Sequence, residues 1–264
     1  MGTTTVVFVT LDGRRLEYEE VPGAPAAGAP LVFLHEGVGS VGLWRGFPHR
    51  VAEATGRRTL TYSRHGHGGS DAPARPRTPS FMHEEAREVL PRLLEAWGVE
   101  APLLVGHSDG GSIALIHAAE HPVTAVACLA PHVFVEQLCL DEIVRIKAAF
   151  EREGLRERMA RHHRDPEAAF YGWNDVWLDP AFRDWSIVDL LSAIDAPVLV
   201  VQGSNDPYGT MAHADAVAAS AAGPVERVVL RCGHHPHLQA EEETFAAVTR
   251  FADAHRLRTT APAP

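Results

Sequence analysis

Lysine is almost missing from this chain: among 264 residues Lys147 is the only one, and arginine supplies nearly all the positive charge. Acidic residues outnumber Lys and Arg by 34 to 24, a net charge of −10, and no basic stripe runs through the sequence. Nucleic acid is therefore not an expected partner, because phosphate binding rests on a basic surface. Cysteine is scarce as well. Cys128, Cys139 and Cys232 are odd in number and far apart, which excludes a disulfide framework or a zinc pattern and points to a reducing cytoplasm. Apolar runs are short, none approaching the roughly 18 residues that span a bilayer. The opening Met1-Gly2-Thr3-Thr4-Thr5-Val6 lacks the basic stretch of a secretory signal, and valine at position 6 breaks the myristoylation pattern. A cytoplasmic protein without a membrane partner is expected. With 45% hydrophobic residues the chain can still bury a substantial core.

Strand-like and helix-like segments alternate through the first half. Residues 6–10 and 16–21 predict a hairpin around Asp12-Gly13. Leu31-Val32-Phe33-Leu34 is a continuous apolar run suited to a strand buried on both faces. Residues 59–62 predict another strand, and Met82, Ala86, Val89, Leu90, Leu93, Leu94 and Trp97 recur at helical spacing up to Gly98. Further strands are expected at 101–105 and 123–129, around a helix that runs to about residue 120. Such alternation implies a parallel sheet with crossover helices.

Between Pro131 and Ile194 the rhythm changes to charged helical pieces at 140–153, 155–163 and 165–178. Phe170, Tyr171, Trp173, Trp177, Phe182 and Trp185 concentrate there. They are either the core of a helical hairpin or the lining of a pocket under a cap, and about half are expected to face the pocket. Strands return at 198–201 and 225–230, with helices at 211–222 and 241–254 and a frayed tail at 259–264.

The densest chemical signal is Gly106-His107-Ser108-Asp109-Gly110-Gly111, a G-x-S-x-G pattern between an apolar strand and an Ala-rich helix. A nucleophile elbow needs that context, and side chains at its glycine positions would collide with the neighbouring strand and helix. A serine hydroxyl also requires a base and a group that orients the base. Asp206 follows the strand at 198–201 in Gly203-Ser204-Asn205-Asp206, and Gly233-His234-His235-Pro236-His237 follows the strand at 225–230. Strand ends on one edge of a parallel sheet converge, so these distant residues can meet.

With His35-Glu36-Gly37-Val38-Gly39-Ser40 after the third strand, these landmarks make the chain resemble the α/β-hydrolase superfamily over nearly its whole length. The resemblance implies a mostly parallel eight-stranded sheet flanked by helices. Residues 1–131 and 195–264 would form the core, and 132–194 an inserted helical cap. It further implies Ser108 as nucleophile, His234 as general base and acid, and Asp206 as orienting carboxylate. His234 is preferred over His235 and His237 because it directly follows Gly233. The oxyanion hole would use the backbone N–H groups of Gly37 and Asp109. The usual His-Gly pair is His35-Glu36 in this chain, which brings a carboxylate either to the pocket or into a structural ion pair. The side chain of Asp109 is expected to point away from the substrate. Glu36, His107, Trp173 and Trp177 are candidate pocket residues.

The turn Tyr62-Ser63-Arg64-His65-Gly66-His67-Gly68-Gly69-Ser70-Asp71 is expected to be structural, braced by Ser70 and Asp71, with Arg64 or His65 as alternative contacts for an anion. His162-His163 is expected to be a solvated piece of a cap helix. One His-rich turn without further ligands is not a metal site, so no metal and no cofactor are expected. The leading function is hydrolysis of a small, partly apolar ester, thioester or lactone. Alternatives on the same residues are carbon–carbon hydrolysis of a ring-cleavage product, or lyase, cofactor-free oxygenase or cyclase chemistry. A ligand receptor on this fold is the alternative of another class. The partner is a small molecule, and a homo-oligomer is left open.

Overall fold

The structure, a computed structural model, describes residues 7–256; Val6 of the first predicted strand and the tail at 259–264 lie outside them. In chain order the strands and helices are β1 (Val7–Leu11), β2 (Arg14–Val21), β3 (Leu31–Leu34), α1 (Phe47–Thr55), β4 (Thr59–Tyr62), α2 (Phe81–Glu84), α3 (Leu90–Ala96) and β5 (Leu103–His107). They continue with α4 (Asp109–Glu120), β6 (Ala125–Leu129), α5 (Gln137–Arg152), α6 (Leu155–Met159), α7 (Pro166–Trp177) and α8 (Val188–Leu191). The last are β7 (Val198–Gly203), α9 (Ala212–Ser220), β8 (Val225–Leu230), α10 (Pro236–Gln239) and α11 (Glu241–Ala254).

Asp12 and Gly13 both adopt positive φ, 49° and 74°, the two-residue turn whose twist suits a tight hairpin between β1 and β2. All eight strands form one sheet in the order β1-β2-β4-β3-β5-β6-β7-β8. Pairing is antiparallel on both sides of β2 and parallel from β4 onward. The sheet and its flanking helices are the predicted fold class.

The period-2 geometry of the strands splits the core into two layers. Leu31, Phe33, Leu103, Val105, Ala125, Ala127 and Leu129 face one side, against Phe47 and Val51 of α1 and Val248 and Phe251 of α11. Val32, Leu34, Leu104, Val126, Cys128, Val198 and Val200 face the other, against Leu90 and Leu93 of α3 and Ile113 and Leu115 of α4. Buried on both faces, these strands carry no polar alternation, which is why they read as apolar runs.

Two departures from the predicted elements have local causes. Helix α1 was not foreseen, because its apolar residues are interrupted by Arg50, Glu53 and two breakers, Gly46 and Pro48. The helix predicted around 82–97 is interrupted by a π turn over Glu85–Val89. Pro91 lies just beyond that turn, lacks a helical N–H and crowds the carbonyl four residues back.

Residues between β6 and β7 carry α5 to α8. Phe150 stacks on Phe170 at 4.0 Å between ring centroids, and Trp177, Phe182 and Trp185 pack together at 4.9 to 6.3 Å. Most aromatics of this segment therefore serve its own packing. Cys128, Cys139 and Cys232 are free and buried. No helix among the described residues is long and apolar enough to cross a membrane.

Candidate active site

Ser108 sits between β5 and α4 with φ 53° and ψ −119°, outside the regions that L residues favour. Two close approaches hold it there. A Cβ on Gly106 would lie 2.2 Å from the Gly110 carbonyl oxygen, and one on Gly110 would lie 2.1 Å from that of Leu34. Glycine at both positions lets the strand and helix meet, and the turn between them lifts the serine off the sheet.

Three loops at the carboxyl ends of β5, β7 and β8 then converge. His234 Nε2 lies 2.9 Å from Ser108 Oγ, and His234 Nδ1 lies 2.8 Å and 3.0 Å from the two Asp206 carboxylate oxygens. The carboxylate can only accept, so Nδ1 carries the proton and Nε2 presents its lone pair to the serine hydroxyl. Asp206 also accepts from the Tyr208 amide at 2.8 Å and from Gln202 Nε2 at 2.9 Å. Burial works to raise the Asp206 carboxyl, but His234, the Tyr208 amide and Gln202 hold it below its ordinary value. Burial pushes the His234 imidazole below its ordinary value, against the opposing pull of Asp206. A reaction that needs neutral His234 loses rate as pH falls through that lowered value. The acid limb of kcat/KM is accordingly expected below the ordinary histidine value of about 6.5, as a pH–rate profile on an ester would measure.

The loop after β3 is braced around its carbonyls. Buried Arg64 donates from its guanidinium to the carbonyls of His35 and Glu36, the latter at 2.8 Å. His35 accepts the Arg64 amide at Nε2 and donates from Nδ1 to the Glu36 carbonyl at 2.6 Å. His67 donates to the Gly37 carbonyl at 2.9 Å. In a trans peptide N–H and C=O point in opposite directions. Holding the Glu36 carbonyl toward Arg64 thus turns the Gly37 N–H away from Arg64, and Gly37 lines the cavity. The Asp109 N–H is one of the orphan donors at the start of α4.

A cavity of about 210 Å³ adjoins Ser108 and His234, beneath the segment between β6 and β7. Glu36, Trp173 and Trp177 line it, and so do Asp109, His132, Ile143 and Tyr208. Trp173 presses on the loop after β3, since a Cβ on Gly37 would lie 2.2 Å from its indole nitrogen. Of the six aromatics expected to divide between core and pocket, Trp173 and Trp177 alone line this cavity, fewer than half. His132 and Tyr208 were missed. Both follow strands at the sheet edge where the triad gathers, a signal that could have found them.

Three expectations about side chains need correction. His107 does not line the cavity: it shares the sheet face of Leu103 and Val105, fully buried against Trp44 and His237. Asp109 does not point away from the cavity, because its Oδ1 accepts from the Trp177 indole at 3.2 Å, which draws the carboxylate under the helices. His163 is not solvated; it is buried, accepting from the Gly68 amide at 3.0 Å and donating to the Val38 carbonyl at 2.9 Å. Arg64 is committed to backbone carbonyls and is not free for an anion. The turn at 62–71 is braced as expected, Ser70 donating to the Ser63 carbonyl and Asp71 accepting from Arg15.

Burial raises the Asp109 carboxyl to about 6, opposed by Arg64, Arg77 and the Trp177 bond. Its second oxygen is buried without a hydrogen-bond partner. A carboxyl whose folded value is raised contributes stability below its unfolded value, about 3.9, and loses it as pH rises through about 6. Asp109→Asn can keep the Trp177 bond and has no charge to bury. It is expected to be more stable than the parent by about 2–3 kcal/mol at pH 8 and no more stable near pH 4, as urea unfolding would measure.

Residues 31–247 match the family model described as the Alpha/beta hydrolase family. The chain is 29% identical over 253 residues to a non-heme chloroperoxidase of Streptomyces lividans, covering 84% of this chain and 87% of that one. It is 23% identical over 286 residues to a proline iminopeptidase of Lactobacillus helveticus, covering 90% and 94%. Its fold superposes on the enol-lactonase from Burkholderia xenovorans LB400 with a TM-score of 0.72 at 20% identity, over 93% of this chain and 99% of that one. The match runs through the sheet, the glycine-flanked serine and the loops that converge on it: this chain belongs to the alpha/beta hydrolase family and is an enzyme of it.

Proposed function

We propose that the protein is a serine hydrolase that cleaves a small, partly apolar ester, thioester or lactone through an acyl-enzyme. The supporting observation is the continuous relay from Ser108 Oγ through His234 to Asp206 at one wall of the cavity. Ser108 Oγ attacks the substrate carbonyl while its proton passes to His234 Nε2. Asp206 stabilises the imidazolium and keeps its orientation. The Gly37 and Asp109 amides receive the oxyanion, His234 returns the proton to the leaving oxygen or sulfur, and water then repeats the sequence on the acyl-enzyme. Residues 132–194 act as a cap whose Trp173, Trp177 and Ile143 exclude water from the acyl group. The enol-lactonase relative in fold agrees with an ester or lactone as substrate.

A fluorophosphonate probe tests this directly. The parent protein is expected to be labelled and Ser108→Ala not; an unlabelled parent protein sinks the proposal. On p-nitrophenyl esters of increasing acyl length, kcat/KM is expected to peak at short chains that fit about 210 Å³. Failure on every ester, with turnover of a vinylogous diketone, would favour carbon–carbon cleavage instead.

A second reading, that the substrate carries a cationic amine near its carbonyl, is favoured by Asp109. Asp109 lines the cavity, its carboxylate bonded to the indole of Trp177 through one oxygen and unpartnered at the other, at a cost to stability. Aminoacyl esters should then exceed their des-amino analogues in kcat/KM, and Asp109→Asn should erase that preference.

A further inference from the structure

Glu36 stands where the family usually has glycine, and its surroundings pose a proton-counting problem. His107 Nε2 lies 2.7 Å from the His234 carbonyl oxygen, which only accepts, so Nε2 carries a proton. His107 Nδ1 is buried, has no other partner and faces Glu36 Oε2 at 3.5 Å. If His107 were neutral, its Nδ1 lone pair would face carboxylate lone pairs at 3.5 Å, with the imidazole itself fully buried. Removing that conflict takes one more proton, placed on Nδ1 or on Oε2. In either place the pair is uncharged overall.

We propose that Glu36 and His107 hold this proton between them as a positioning pair, tying the loop of Gly37, the turn of Ser108 and the carbonyl of His234 into one geometry. The inference rests on the hydrolase reading for its kinetic consequences. Glu36 precedes the Gly37 amide, His107 precedes Ser108, and the far side of the same imidazole grips the backbone of His234. Each of the three moving parts of the reaction is thus one bond from the pair. Gly39 makes room for it, since a Cβ there would sit 2.4 Å from Glu36 Oε2.

Among the described residues, His107 is the one basic side chain in ion-pair contact with Glu36. His35 and Arg64 face Glu36 from its own loop and the loop after β4, and the Arg64 guanidinium is committed to the carbonyls of 35 and 36. His163, from the segment between β6 and β7, spends both ring nitrogens on Gly68 and Val38. His235, at the end of the loop after β8, and His237, in α10, flank His107, and His132 approaches from the loop after β6. Burial pushes His35, His132, His235 and His237 below their ordinary values, His235 to about 3. Asp109, from α4, is the other nearby carboxyl and discourages a second negative charge. Burial would raise Glu36, but contact with His107, aided by His235 and His35, holds it well below the ordinary carboxyl range. The charges of His107 and Glu36 act on His234 in opposite directions.

Glu36→Gln and Glu36→Ala separate this role from simple packing. The Gln amide donates to Nδ1 of neutral His107 and reproduces the bridged state without a proton to lose, whereas Ala leaves Nδ1 alone. With p-nitrophenyl acetate, Glu36→Ala is expected to lower kcat tenfold or more, within the roughly 100-fold that misplacement by about 1 Å can cost, with little change in KM. Glu36→Gln should recover most of that loss. The parent kcat/KM should turn down on the alkaline side as the pair gives up its proton, and Glu36→Gln should lack that limb. NMR of protein labelled with 15N-histidine and 13C-glutamate, assigned with His107→Gln and Glu36→Gln, should find the shared proton on His107 Nδ1 or on the Glu36 carboxyl in the parent, and only Nε2 of His107 protonated in Glu36→Gln. Identical alkaline limbs in the parent and Glu36→Gln overturn the proposal, as does a parent spectrum with Nδ1 unprotonated together with a Glu36 carboxyl 13C shift of the ionised form. A change confined to KM would also overturn it, making Glu36 a substrate contact. Fluorophosphonate labelling of the same samples reports separately on the hydrolase reading, and the NMR measurement needs no turnover.

Discussion

Ser108→Ala is expected to lower kcat on an ester by about 100,000-fold or more while leaving the fold intact, because triad members act as a unit and loss of the nucleophile removes the whole relay. The substitution is clean for a structural reason. The strained backbone at residue 108 already carries a Cβ, and the alanine Cβ occupies the same place. Helix α4 is unaffected, since the Ser108 carbonyl, and not its hydroxyl, accepts from the amides of Gly111 and Ser112. Purified parent and variant should share a thermal midpoint within a degree or two, and kcat should differ by the full factor. Retention of more than about one-hundredth of the parent rate would exclude Ser108 as nucleophile. Ser108→Gly should lose the same activity yet gain about 1 kcal/mol in stability, because glycine accepts positive φ without strain.

Asp206→Asn is expected to cost about 10,000-fold in kcat with little loss of structure, through the tautomer of His234. Every neighbour that Asp206 bonds is a donor: the Tyr208 amide, Gln202 Nε2 and His234 Nδ1. An asparagine has one oxygen for three donors, so its NH2 must meet one of them. The tautomer of His234 is the arrangement that can change. With its Nδ1 accepting from the asparagine NH2, Nε2–H faces Ser108 and cannot take its proton. Rates measured against pH, with circular dichroism to verify the fold, should show the loss across the neutral range and partial recovery at high pH, where hydroxide can substitute for the missing base. A variant within about tenfold of the parent would remove Asp206 from the relay.

Much of this molecule can be read without coordinates. The strands at 31–34, 59–62 and 225–230 and the helix at 241–254 lie where apolar runs and periodicity place them. The spacing of Ser108, Asp206 and His234 after successive strands is enough to bring them to one edge once the sheet is parallel. The glycines at 106 and 110 are legible for the same reason. Their need for space comes from backbone meeting backbone, which hardly depends on the rest of the chain.

Side-chain direction is what escaped. His107, Asp109 and His163 are polar residues in apolar surroundings, and one-dimensional pattern does not say which partner each finds. Asp109 turns under the helices because Trp177, 68 residues away in sequence, offers an indole N–H. His163 is buried because two backbone groups of other loops need its nitrogens. Local chemistry, repeated at short range along the strands and turns, determined the sheet, the elbow and the order of the reacting groups. Long-range packing decided which wall of the cavity is acidic, which aromatics are left to line it, and that Glu36 meets His107, because these depend on contacts that exist only after the loops have closed on one another.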